Sequence, residues 1–167
     1  MKKIILFHLI VLMATEFIGC TKTSTENKKQ AVEPLQKNND LPSMNLTTLN
    51  GIQVNTKTLT DKSILILFQP DCDHCQREAK EIREHIEAFR DYSVYFISAD
   101  PMPAIEKFAN DYDLSSQANF FFGMTTVENV LNSFGSIPTP SVYIYSDQTL
   151  VQKFNGEVSI GKILEAL

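Results

Sequence analysis

The stretch that most constrains this chain is Ser63 to Gln69, SILILFQ, followed at once by Pro70-Asp71-Cys72-Asp73-His74-Cys75. A nearly continuous apolar run has no polar face to turn toward water, so it predicts a strand covered on both sides. Beyond it the period changes. Cys75, Ala79, Ile82, Ile86 and Phe89 are spaced by threes and fours, the single stripe of an amphipathic helix facing a sheet. Two cysteines therefore stand where a buried strand gives way to the first turn of a helix.

The flanking sequence supplies the rest of a sheet. Met44 to Val54 alternates around Asn50-Gly51, a strong hairpin signal. Ser93 to Ser98 reads as a second buried strand, and Ile105, Phe108, Ala109 and Tyr112 mark a short helix after Pro101. Asn119 to Gly123 is expected to form a brief strand. Thr125 with Glu128 predicts a capping box opening a helix whose Val127, Val130, Leu131 and Phe134 face inward. Ser141–Tyr145 and Leu150–Asn155 predict a final hairpin turning at Ser146-Asp147-Gln148, and Gly161 to Leu167 a closing helix. The order is that of a mixed α/β domain with helices on both faces of the sheet.

The first forty residues have a different character. Lys2 and Lys3 precede an apolar run from Ile4 to Ala14. Eleven helical residues rise only about 16 Å against a bilayer core of about 30 Å, so the run reads as a secretory signal and not a membrane span. Phe17-Ile18-Gly19-Cys20 resembles a bacterial lipoprotein processing site, which implies lipidation of Cys20 and attachment to a membrane. Thr21 to Asp40 is polar, with Val32 and Leu35 isolated and Pro34 breaking any local helix, so it is expected to be a tether. The expected division is a signal over 1–19, lipidated Cys20 and tether over 20–40, and one folded domain over 41–167. A formal charge of -5 and a pI near 5.2 give no basic surface for phosphates, so no nucleic-acid partner is expected.

Two residues between cysteines on a first helical turn bring the sulfurs within disulfide reach and leave the first exposed. Unpaired N–H groups and the helix dipole at that end favour a thiolate on Cys72. A cationic His74 would act in the same direction, and Asp71 and Asp73 against it. Zinc needs three or four ligands. There is no second cysteine pair, and helical geometry turns His74 away from a site the two sulfurs share, so no metal is expected. A purely structural disulfide closing so small a loop would stabilise little, which leaves redox exchange as the expected chemistry. Neither a phosphate-cradling glycine loop nor a dinucleotide fingerprint is present, so no cofactor is expected.

A strand, Pro-Asp-Cys-Asp-His-Cys, a helix, and a late Thr139-Pro140 ahead of Ser141-Val142-Tyr143 together resemble the thioredoxin fold. With the lipoprotein-like start, the tether and the leading hairpin, the chain is similar to membrane-anchored TlpA/ResA-like thiol–disulfide oxidoreductases. That resemblance implies a thioredoxin-like central mixed sheet flanked by helices, with an N-terminal β-hairpin extension. It implies that Cys72 attacks and Cys75 resolves. Thr139-Pro140 would be a cis-proline loop receiving substrate backbone. Glu78, three residues after Cys75, would be an acid near the cysteine pair that takes a proton during exchange.

The implied partners are protein thiols and disulfides, together with a membrane electron donor or oxidant. The implied location is the cell envelope, facing the periplasm. A His before the second Cys is a feature of oxidising and isomerising members, whereas the anchored architecture is one of reductants, so direction stays open. Asp71 stands where thioredoxin-like sites usually carry Trp.

Two other readings are available. A thiol peroxidase shares the fold, but LILFQPDC from Leu65 to Cys72 lacks the P-x-x-x-T/S-x-x-C signature. A non-catalytic binding module would hold peptides at Thr139-Pro140 and keep working without either cysteine.

Overall fold

The computed structural model describes residues 38–167, so the expected signal, Cys20 and the expected tether up to residue 37 lie outside the described residues. Seven strands are present: β1 (Asn45–Thr48), β2 (Gln53–Asn55), β3 (Lys62–Leu67), β4 (Ser93–Ser98), β5 (Phe120–Met124), β6 (Ser141–Ser146) and β7 (Thr149–Asn155). Four α-helices connect or follow them: α1 (Asp73–Glu84), α2 (Met102–Asp111), α3 (Val127–Phe134) and α4 (Ile160–Leu164). They form one mixed sheet in the order β2-β1-β5-β4-β3-β6-β7. The β3–β4 and β4–β5 pairs are parallel, and every other pair is antiparallel.

The apolar run lies in the middle of this sheet because both its faces need cover. Ile64, Ile66 and Phe68 point into one core, with Cys75, Ala79 and Ile82 of α1, Ile105, Phe108 and Ala109 of α2, and Ile163 of α4. Leu65 and Leu67 point the other way, into a core with Leu41, Met44, Leu46, Tyr143 and Tyr145. The period of two along β3 thus feeds two hydrophobic layers. Phe68 packs against Phe96, Phe108 and Phe122 directly beneath the junction that carries the cysteines.

Two expectations are corrected at α3. Thr126, and not Thr125, caps the helix: its side chain accepts from the N–H of Asn129. The Thr125 hydroxyl is instead donated to the carbonyl of Asn45 on β1, which removes it from capping. The inward face is also half wrong. Val130 and Phe134 pack against the second core, but Val127 is 62% and Leu131 52% exposed. The last hairpin is tighter than expected, with Asp147 and Gln148 alone between strands, both at positive φ. That geometry is a primed two-residue turn, here built without glycine.

The described chain enters at the far end of these strands. Asp40 donates its N–H to the carbonyl of Gln148 and accepts from the N–H of Leu150, while Asn39 donates to the carbonyl of Lys57. These contacts join the chain to the β6–β7 turn and to the segment just before β3. No helix among the described residues is long and apolar enough to cross a membrane.

Candidate active site

Cys72 is the N-cap of α1. Its Sγ accepts from the N–H of Cys75 at 3.4 Å, a role usually taken by Ser, Thr, Asp or Asn. The approach from β3 is fixed by the Cys72 N–H on the carbonyl of Gln69 at 3.2 Å. The Gln76 side-chain amide donates to the carbonyl of Pro70 at 3.0 Å and closes the turn. Both cysteines are free thiols, Cys72 half-buried and Cys75 buried.

The loop before β6 forms the opposite wall. The Thr139–Pro140 peptide bond is cis. The carbonyl of Thr139 lies 3.7 Å from Cys72 Sγ, and its hydroxyl is 4.0 Å from the same sulfur and 3.1 Å from Gln69 Oε1. That hydroxyl has a single proton, which Gln69 and a Cys72 thiolate would compete for. The loop is tied in turn to the end of β7, where the Gly156 N–H donates to the carbonyl of Pro140 at 2.9 Å.

The two thiols are driven apart in acidity. Burial would raise Cys72. Hydrogen bonds from the Cys75 side chain and N–H, the Thr139 hydroxyl and the His74 N–H outweigh it and hold this thiol below its usual value. Cys75 is pushed up to about 12, by burial above all and then by the hydrogen bond and charge of Cys72. One sulfur is thus accessible and inclined to ionise, and its neighbour is buried and held protonated.

Glu78 occupies the same buried face of α1, one turn beyond Cys75, and is 2% exposed. Neither carboxylate oxygen has a hydrogen-bond partner among the described residues. Burial, and secondarily the charges of Glu157 and Glu81, push this carboxyl up to about 8. An unpartnered charge at that depth would be expensive, so the group is a neutral acid over much of the physiological range.

His74 points outward. Its Nδ1 contacts Glu157 Oε2 on the loop after β7, and Arg77 joins the pair through Nε at 2.7 Å and Nη2 at 2.9 Å from the Glu157 oxygens. What reaches the Cys72 sulfur from His74 is its backbone N–H. Gln69, Arg77 and Glu157 went unnoticed in the sequence. Gln69 looked like the end of a strand, and Glu157 lies eighty positions from Arg77 with no local pattern joining them. Beside the sulfur, a groove of about 400 Å³ runs from Gln69, Pro138 and Thr139 to the exposed Val127 and Leu131 of α3. No group of three or more His, Cys, Asp or Glu among the described residues is placed to hold a metal ion.

A mixed sheet flanked by helices, with a cysteine pair capping the helix after its central strand and a cis-proline loop opposite, is a thioredoxin-like fold. The chain belongs to the AhpC/TSA family, whose model matches residues 38–154. Similar solved structures include MTB dsbF in mixed oxidised and reduced forms, at 20% identity and a TM-score of 0.65 over 77% of this chain and 95% of that one. A secreted Mycobacterium tuberculosis disulfide oxidoreductase homologous to E. coli DsbE has 18% identity and a TM-score of 0.63, over 74% and 93%. StoA from Bacillus subtilis has 13% identity and a TM-score of 0.58, over 73% and 93%. At these identities the likeness is one of fold. No curated protein sequence matches the chain.

Proposed function

We propose that this protein is a thiol–disulfide oxidoreductase of the cell envelope, lipid-anchored through Cys20, acting on protein thiols and disulfides. The observation that carries the exchange chemistry is the placement of the two cysteines: Cys72 is half-exposed at the N-cap of α1 beside the cis Thr139–Pro140 loop and Cys75 is buried, with the first thiol lowered and the second raised in pKa. In the reducing direction the Cys72 thiolate attacks a substrate disulfide, forming a mixed disulfide and releasing one substrate thiolate. Cys75 then gives up its proton and attacks Cys72 Sγ, so the second substrate sulfur leaves with the electron pair and the Cys72–Cys75 disulfide forms. The reverse sequence oxidises a substrate dithiol.

Glu78 is the proposed proton relay for Cys75. As a neutral acid it can supply a proton when Cys75 leaves, and its ionised minority can accept one when Cys75 attacks. Thr139 and Pro140 are the proposed wall against which substrate backbone lies, with the groove toward Val127 and Leu131 taking an adjoining side chain. A membrane-held donor or oxidant would restore the working state.

Replacement of Cys75 by Ser removes the resolving thiol and should accumulate mixed disulfides through Cys72 in cells. Absence of any Cys72-linked protein, with the variant folded and abundant, would reject the proposal. Membership of the AhpC/TSA family supplies one specific reason for a second reading, thiol peroxidase. Rapid oxidation of Cys72 by hydrogen peroxide, faster than exchange with a protein disulfide, would favour it.

A further inference from the structure

The cluster of Glu157, His74 and Arg77 lies outside the exchange chemistry just described. Its geometry nevertheless bears on the dipeptide between the cysteines. Glu157 is held from below, because Gly156 before it sits at φ +87° with its N–H donated to the carbonyl of Pro140. Its carboxylate reaches across to α1, where Arg77 Nε meets Oε1 and Arg77 Nη2 meets Oε2. The same Oε2 contacts His74 Nδ1.

Arg77 Nη2 is also 2.6 Å from His74 Nδ1, so that nitrogen faces both an acceptor and a donor. The acceptor decides. A bare Nδ1 lone pair would lie against a carboxylate oxygen, two electron-rich atoms in contact. A proton on Nδ1 turns the contact into a charge-assisted hydrogen bond. Arg77 gives up its contact with Nδ1 but keeps both hydrogen bonds to Glu157, and a charged carboxylate is the stronger partner for the Nδ1 proton. Glu157 is held down at about 2, by the Arg77 hydrogen bond first and the His74 hydrogen bond next, so it remains an acceptor wherever an imidazole titrates.

Two charged groups meet the ring directly, Glu157 from the loop after β7 and Arg77 on α1, while Asp73 and the Cys72 thiol act on Arg77 through charge. His74 Nε2 has no hydrogen-bond partner among the described residues, and the side chain is 58% exposed.

We propose that Glu157 is a positioning residue: by accepting the Nδ1 proton of His74 it fixes the imidazole tautomer and leaves Nε2 as an outward proton acceptor for an arriving substrate thiol. The inference rests on the oxidoreductase reading. In the substrate-oxidising direction the substrate S–H proton passes to Nε2, and the electron pair of that bond forms the new bond to Cys72 Sγ. The Cys72–Cys75 bond breaks, its electrons leaving on Cys75, which is then protonated. Which ring nitrogen carries the proton is set by what the other one meets, as for any histidine held by a carboxylate.

The test uses the full chain with ¹⁵N-labelled histidine. Two-dimensional ring correlation spectra above the imidazole titration should show the Nδ1–H tautomer of His74. Glu157→Ala should convert it to Nε2–H, because Nδ1 then accepts from the released Arg77. Glu157→Gln, which keeps an acceptor oxygen, should retain Nδ1–H. Oxidation of glutathione by the disulfide form should slow about tenfold or more in Glu157→Ala, within reach of what a positioned base supplies, and no further when His74→Ala is already present. An Nε2–H tautomer in the unmodified protein, or equal slowing by Glu157→Ala with and without His74, would overturn the proposal. A protein that exchanges no disulfides would defeat the oxidoreductase reading, while the tautomer alone would still decide for or against Glu157.

Discussion

Replacing Glu78 by Gln keeps the shape of a buried side chain and removes its titration. In the folded protein this carboxyl is pushed from 4.5 up to about 8, mainly by burial. Between those values the folded state holds a proton that the unfolded chain has released. Stability must therefore fall as pH rises through the interval, by about 1.4 kcal/mol per unit. From 4.5 to about 8 the loss is about 5 kcal/mol, comparable with the whole of a marginal domain's stability of about 5–15 kcal/mol. Below the interval both states are protonated and the term vanishes.

Urea unfolding of the native protein and Glu78→Gln at a series of pH values measures this directly. The buried amide carries its own cost, about 1–3 kcal/mol if unpartnered, which shifts the two curves by a constant. Their difference should swing toward the variant by about 5 kcal/mol between the ends of the interval. Groups common to both proteins cancel unless they are coupled to Glu78, as Glu157 and Glu81 are through charge, and added salt should narrow the swing. Parallel curves would refute the reasoning and mean that the carboxyl ionises normally in the fold.

Native-state alkylation by iodoacetamide near neutral pH should label Cys72 far faster than Cys75, which is both buried and held protonated; peptide mass spectrometry showing equal labelling would contradict the assigned acidities. Phe68→Ala should cost about 3–5 kcal/mol in denaturant unfolding, since it removes the ring at the centre of the Phe96, Phe108 and Phe122 cluster. Val127→Ser and Leu131→Ser should each stay within about 0.5 kcal/mol of the parent in the same assay, and a loss of several kcal/mol would restore α3 to the core. Gly156→Ala should cost about 1–2 kcal/mol because its φ of +87° is unfavourable for any residue with a Cβ.

Elements that rely on local pattern could be read in advance. SILILFQ has no polar face, so it had to be central, and the stripe beginning at Cys75 had to lie on a sheet, although the α-helix stops at Glu84 and Ile86 and Phe89 follow in a separate 3-10 turn. The place of the cysteine pair was legible because a buried strand ends just before a helical stripe begins, which sets Cys72 at the N-cap of α1. The α3 face was not, since a stripe records which residues could be covered and nothing about what covers them. Val130 and Phe134 meet the second core, whereas Val127 and Leu131 meet no such layer and line a groove. Thr125 and Thr126 are adjacent hydroxyls, and only the distant Asn45 carbonyl decides which of them is left to cap. Glu157 joins α1 through a long-range contact, invisible to any window along the chain.

The chain's point of entry gives the domain a direction. Asp40 is fastened at the β6–β7 turn, near the Lys62–Ser146 pair, while Cys72 follows the other end of β3, near the Leu67–Ser141 pair. Six strand residues at about 3.3 Å each separate these ends by roughly 20 Å. The half-exposed Cys72 sulfur and the first described residues therefore lie at opposite ends of the central strand, so a change at one end reaches the other only through the sheet.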